Sequence, residues 1–134
     1  MKANIYLSKL KYLAFIIPIS LCLPSTVMAG EKQSGVEHIV FCWLNNPGNK
    51  EETEKFIELS KELKEIPEVN DIKTGTTISS DRMFVDDTFD VGLVISFNNQ
   101  QDMESYLVNE THVNLVKTSL GPMCNRLLVY DVAY

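Results

Sequence analysis

The chain is poor in the residues on which most recognisable chemistry is built. Histidine occurs only twice, at His38 and His112, too few for a metal centre made from imidazoles. No CxxC, HExxH, P-loop or GxSxG pattern is present. Basic residues are also scarce, 12 against 18 acidic ones, for a net charge of −6. Nucleic acid and anionic membrane surfaces both require a basic footprint, so neither is an expected partner.

Long apolar runs are missing except at the start. MKANIYLSKLKYLAFIIPISLCLPSTVMA has three lysines, no acid, an apolar run from Tyr12 to Leu23 and small residues at Val27 and Ala29. That is the pattern of a secretory signal peptide over residues 1–29, cut after Ala29, and it implies a secreted or periplasmic protein. Leu21 is too large to precede a lipidated Cys22. Pro18 and Pro24 interrupt a run already short of the ~20 residues needed to span a bilayer. No stable membrane anchor is therefore expected after cleavage. Removing 29 of 134 residues leaves enough for one domain with one core. It also leaves nine basic against 18 acidic residues, a mature charge of −9. Two cysteines remain, Cys42 and Cys124; export permits a disulfide between them, and two buried free thiols are the equal alternative.

Residues 30–35 read as a flexible leader. Val36–Leu44 reads as a strand apolar on both faces, with Val36, His38, Val40 and Cys42 on one side and Ile39, Phe41 and Trp43 on the other. An Asn-Pro-Gly-Asn loop leads into a helix over 50–65 with Phe56, Leu59, Leu63 and Ile66 on one stripe, stopped at Pro67. A weaker strand over 69–77 and a polar connection over 79–88, long enough for a flap, precede a strand over 89–97. A helical run follows, broken at Asn109 and ended by Gly121 and Pro122, and a last strand covers 127–132.

The order β-α-β-β-α-β predicts an α+β, ferredoxin-like fold with an antiparallel four-stranded sheet and helices on one face. Strands apolar on both faces then need a second cover, which predicts a homodimer packed through the sheet face. The first and last strands become antiparallel neighbours, which makes a Cys42–Cys124 bond geometrically possible.

Tyr106 and His112 are the pair with chemical promise. Six positions apart on one unbroken helix they would sit about 120° out of alignment, and a break at Asn109 lets them converge. An imidazole with a pKa near ~6.5 can take a proton at neutral pH, while a phenol near ~10 stays protonated to donate to an oxyanion. The plainer reading makes His112 a solvated first-turn residue, Tyr106 a core aromatic and His38 a hydrogen-bonded core histidine.

The segments VEHIVFCWL, IPEV, FDVGLVISF, ESYLVNETH and LLVYDV together resemble the stress-response A/B barrel family, over residues 36–134. The resemblance implies a dimeric α+β barrel; no cofactor and no metal are expected. One plant member is a polyketide cyclase that closes a poly-β-keto chain by aldol condensation. By resemblance, His112 takes the role of general base and Tyr106 that of carbonyl-orienting donor, with His38 and Val91 at ligand-lining positions. The family's frequent His-Pro-x-His appears here as Asn109-Glu110-Thr111-His112, and Val91 stands where the cyclase has a histidine. Two functions are expected to compete: a non-catalytic dimer binding a small hydrophobic or carbonyl-containing ligand, and a cofactor-free, polyketide-cyclase-like lyase.

Overall fold

The first expected strand forms as β1 (Val36–Leu44). The computed structural model describes residues 35–134, so the expected signal peptide and all but the last residue of the expected leader lie outside the described residues. Asn49 accepts hydrogen bonds from the backbone N–H groups of Glu51 and Glu52 and so caps α1 (Lys50–Ser60). The helix does not run on to Glu65 as α-helix: after Ser60 it tightens into a 3₁₀ turn, Lys61–Glu65, and Ile66 is extended, as the residue before a proline prefers to be.

β2 (Asp71–Thr76) and β3 (Val91–Phe97) follow, each shorter than the alternation suggested. The helical run then divides into α2 (Gln100–Val108) and α3 (Glu110–Leu115). Asn109 is the hinge: its backbone is extended and its side chain accepts from the N–H of Thr111, a cap worth about 1 kcal/mol. Gly121 and Pro122 do not end the helical run. A π-helical turn, Val116–Leu120, leads into one further turn, α4 (Gly121–Met123), because proline fits the first turn of a helix, where its missing N–H is not needed. β4 accordingly begins at Cys124 and runs to Ala133, not from Leu127 to Val132.

The sheet order is β2-β3-β1-β4 with every pairing antiparallel, the ferredoxin-like arrangement. Its helix-facing side carries Val36, His38, Cys42, Leu44, Val91, Leu93, Ile95 and Phe97, all buried, against Phe56 and Leu63 from the first helical segment and Met103, Tyr106, Leu115 and Leu120 from the second. The other side is apolar and uncovered by helices: Ile39, Phe41 and Trp43 are half-buried there, and Tyr130 and Val132 on β4 are 52% and 47% exposed.

Phe89, expected to open β3, instead lies on this helix-free side with its ring centroid 4.7 Å from that of Phe41. Thr88 accepts a hydrogen bond from Trp43 Nε1 at 2.9 Å. The end of the long connection is thus folded back onto the sheet, while Met83 and Phe84 farther along it stand exposed. The structure joins Cys42 to Cys124, with Cα atoms 5.7 Å apart and the two residues 82 positions apart in sequence. Closing a loop of that size restricts the unfolded chain by roughly 4–5 kcal/mol in the chain-entropy account.

Candidate functional site

Between the sheet and the divided helix lies a cavity of about 370 Å³. The sheet contributes His38, Val40, Leu93, Leu127, Val129 and Asp131; α1 and its 3₁₀ extension contribute Phe56 and Leu63; the far wall is Tyr106, Leu107, His112, Val116, Leu120 and Gly121. Only four of these carry ionisable or strongly polar side chains. The rest form an apolar enclosure.

The break at Asn109 brings the chosen pair together. The ring centroids of Tyr106 and His112 are 4.3 Å apart. Tyr106 is almost wholly buried, edged by Phe97 at 5.1 Å and His38 at 6.0 Å, and among the described residues its hydroxyl has no hydrogen-bond partner. Burial raises its pKa well above the ordinary phenol value, so the proton stays on at any physiological pH.

His112 Nδ1 lies 3.1 Å from the carbonyl oxygen of Leu107. A carbonyl can only accept, so Nδ1 carries the hydrogen and the lone pair of the neutral ring is on Nε2. Burial lowers the pKa of His112 below its ordinary value; the Leu107 carbonyl opposes that and the nearby His38 adds to it. The outcome is a neutral imidazole of fixed tautomer beside a protonated phenol.

His38 sits on the helix-facing side of β1 and lines the same cavity. Its Nδ1 is 2.6 Å from Asp131 Oδ1, a pairing set by the register that places His38 opposite Asp131 on β4. The carboxylate orients that ring as the Leu107 carbonyl orients the other, again leaving Nε2 unprotonated in the neutral form. Asp131 carries no mark of its own in the sequence, where the last strand reads by its apolar alternation. The signal was available, since aligning the first and last strands antiparallel puts an acid across from His38.

Val91 does not line the cavity. It is wholly buried at the start of β3, paired with Cys42, and Leu93, one step along the same face, takes the lining position. The π turn that brings Val116, Leu120 and Gly121 to the wall had no counterpart in the expected elements. Among the described residues no group of three or more His, Cys, Asp or Glu side chains is placed to hold a metal ion. Nor is any helix there long and apolar enough to cross a membrane.

A family model for the stress responsive A/B barrel domain matches residues 36–134. The chain belongs to that family. Solved structures similar to this A/B barrel domain share its fold at low identity. A ferredoxin-like protein of the same family from Mesorhizobium loti is 22% identical, with a TM-score of 0.62 over 75% of this chain and 96% of that one. The hydroxynitrile lyase of Passiflora edulis is 20% identical, with a TM-score of 0.65 over 76% and 94%. A dimeric ferredoxin-like protein of unknown function from Thermobifida fusca is 18% identical, with a TM-score of 0.60 over 77% and 93%. No curated protein matches the A/B barrel sequence at a significant level.

Proposed function

We propose that the mature protein works outside the cytoplasm as a homodimer that binds a small, mostly apolar molecule bearing a carbonyl or enolic group. The observation that carries this reading is the cavity, an apolar enclosure with Tyr106 and His112 in contact on one wall. Its aliphatic and aromatic lining favours apolar surface at roughly 25 cal/mol per Å² removed from water. Among the described residues the Tyr106 hydroxyl has no hydrogen-bond partner, which suits it to donate to a carbonyl oxygen. The signal-like N-terminus supports export. The uncovered apolar face of the sheet, and neighbours described as dimeric, support the homodimer. Calorimetric titration with 4-pentylphenol, an alkyl-bearing mimic of an enol, tests the binding claim. Saturable binding that weakens at least tenfold in His112→Ala is expected; equal binding by both proteins would place the ligand elsewhere.

The fixed tautomer of His112 favours a second reading, cofactor-free proton transfer of the polyketide-cyclase-like kind. Nε2 takes a proton from the carbon next to a carbonyl, the C–H electron pair passes into the enolate, and Tyr106 donates a hydrogen bond to the oxygen as its charge builds. The solved hydroxynitrile lyase shares only the fold at 20% identity, so the reading stands on the two side chains. Deuterium uptake from D₂O between the carbonyls of an alkyl β-keto ester measures it directly. Acceleration over buffer that disappears in His112→Ala supports catalysis, and rates equal to buffer leave binding alone.

A further inference from the structure

We infer that the Cys42–Cys124 disulfide holds the cavity in its ligand-binding shape, so that reducing it lowers ligand affinity; the site would then be gated by redox state. This inference rests on the binding function proposed above. Cys42 is fully buried in β1, two residues from Val40 and opposite Leu127, both of which line the cavity. Cys124 directly follows the turn whose residues Leu120 and Gly121 form the far wall. One covalent bond therefore ties β1 to the first residue of β4, where the chain leaves the helical wall.

The backbone ladder is irregular at this corner. The β1–β4 ladder shifts register between Trp43, which faces Arg126, and Leu44, which faces Cys124, leaving Asn125 outside the pairing. Beyond the Leu44–Cys124 pair, two hydrogen bonds from Asn45 tie this corner, its N–H to the Met123 carbonyl at 2.9 Å and its side-chain amide to the Pro122 carbonyl at 2.7 Å. Asn45 is exposed, so water competes for both. The wall itself is a π turn, a geometry less stable than the α-helix around it.

Cys124 is only partly buried, which gives an external dithiol a sulfur to attack. The thiolate displaces the protein sulfur through a mixed disulfide, and its second thiol closes the reagent into its own disulfide. Two electrons and two protons pass to the protein as Cys42 and Cys124 become thiols. The sulfurs then separate from bonding distance to van der Waals contact, and the turn before Cys124 loses its covalent tie to β1.

The test compares oxidised mature protein, the same protein reduced with dithiothreitol, and Cys42→Ala/Cys124→Ala, by 4-pentylphenol titration and by hydrogen exchange of individual amides. The inference expects at least tenfold weaker binding after reduction and in the double variant. It also expects faster exchange confined to residues 116–124 while β1 and β3 stay protected. Affinities within twofold of one another, with unchanged exchange, overturn it. So does exchange that rises throughout the domain on reduction, which would make the bond a general brace. If the oxidised protein fails to bind the probe at all, the binding proposal falls, and the exchange pattern still decides whether the bond controls this wall.

Discussion

Replacing Gly121 by alanine sets two energies of opposite sign against each other. Gly121 has ordinary right-handed helical dihedrals, φ −59° and ψ −45°, so no conformational demand requires glycine there. By helix propensity alone alanine should stabilise by about 1 kcal/mol. A Cβ at this position, however, would lie 2.6 Å from the carbonyl oxygen of Val116, with the next nearest atom at 3.7 Å. That oxygen accepts the Gly121 N–H bond that closes the π turn, so it cannot swing aside without losing the bond. Overpacking strain of about 1–3 kcal/mol, with about 1 kcal/mol more for the hydrogen bond, outweighs the propensity gain. The net expectation is a loss of about 1–3 kcal/mol, which in a domain of this size lowers Tm by at least about 4 °C. Thermal unfolding of the oxidised mature protein followed by circular dichroism measures it. Because Val116 and Leu120 shift with the turn, 4-pentylphenol binding should weaken in step. A variant whose Tm is unchanged or raised would refute the claim that close packing at Gly121 shapes the cavity wall.

Other expectations follow from the same geometry. Tyr106→Phe removes a hydroxyl that has no protein partner among the described residues, so stability should stay within about 1 kcal/mol by urea denaturation while affinity for a carbonyl ligand falls roughly tenfold. A stability loss of 3 kcal/mol or more would mean the hydroxyl is structural. The His112 pKa is lowered in the folded state by burial, so the unfolded chain binds the proton more readily. Stability should therefore decline as the pH drops from about 6.5 toward the lower folded-state pKa and level off below it, and His112→Gln should flatten that decline. Phe41→Asp places a charge on the helix-free side of the sheet, and sedimentation velocity should show the variant as a monomer where the parent is a dimer. A parent protein monomeric at micromolar concentration would remove the basis for that expectation.

Periodicity made the strand order and the helix-facing residues legible, since Val36, His38 and Cys42 alternate with Ile39, Phe41 and Trp43 in sequence as they do in space. The break at Asn109 was legible because Asn is a strong N-cap with Glu110 in the turn after it, and that break carried the Tyr106–His112 contact with it. The π turn was not: it depends on the fit between a bare Gly121 and the Val116 carbonyl, which no period encodes. Gly-Pro reads as a stop, yet here it starts a final turn. The resemblance implies a lining role for Val91, but its end of β3 sits beside Cys42 in closed packing and the cavity opens one step along, at Leu93. Asp131 needed register between two strands 93 positions apart, a pairing visible only once both were set side by side.

The most direct test follows the side-chain ¹⁵N resonances of His112 in the mature protein during titration with 4-pentylphenol. A neutral ring with its hydrogen on Nδ1 before addition, and a saturable shift of the Nε2 signal on binding, is what a ligand cavity shared by Tyr106 and His112 requires. Saturable binding that leaves both ring nitrogens of His112 unmoved would contradict it.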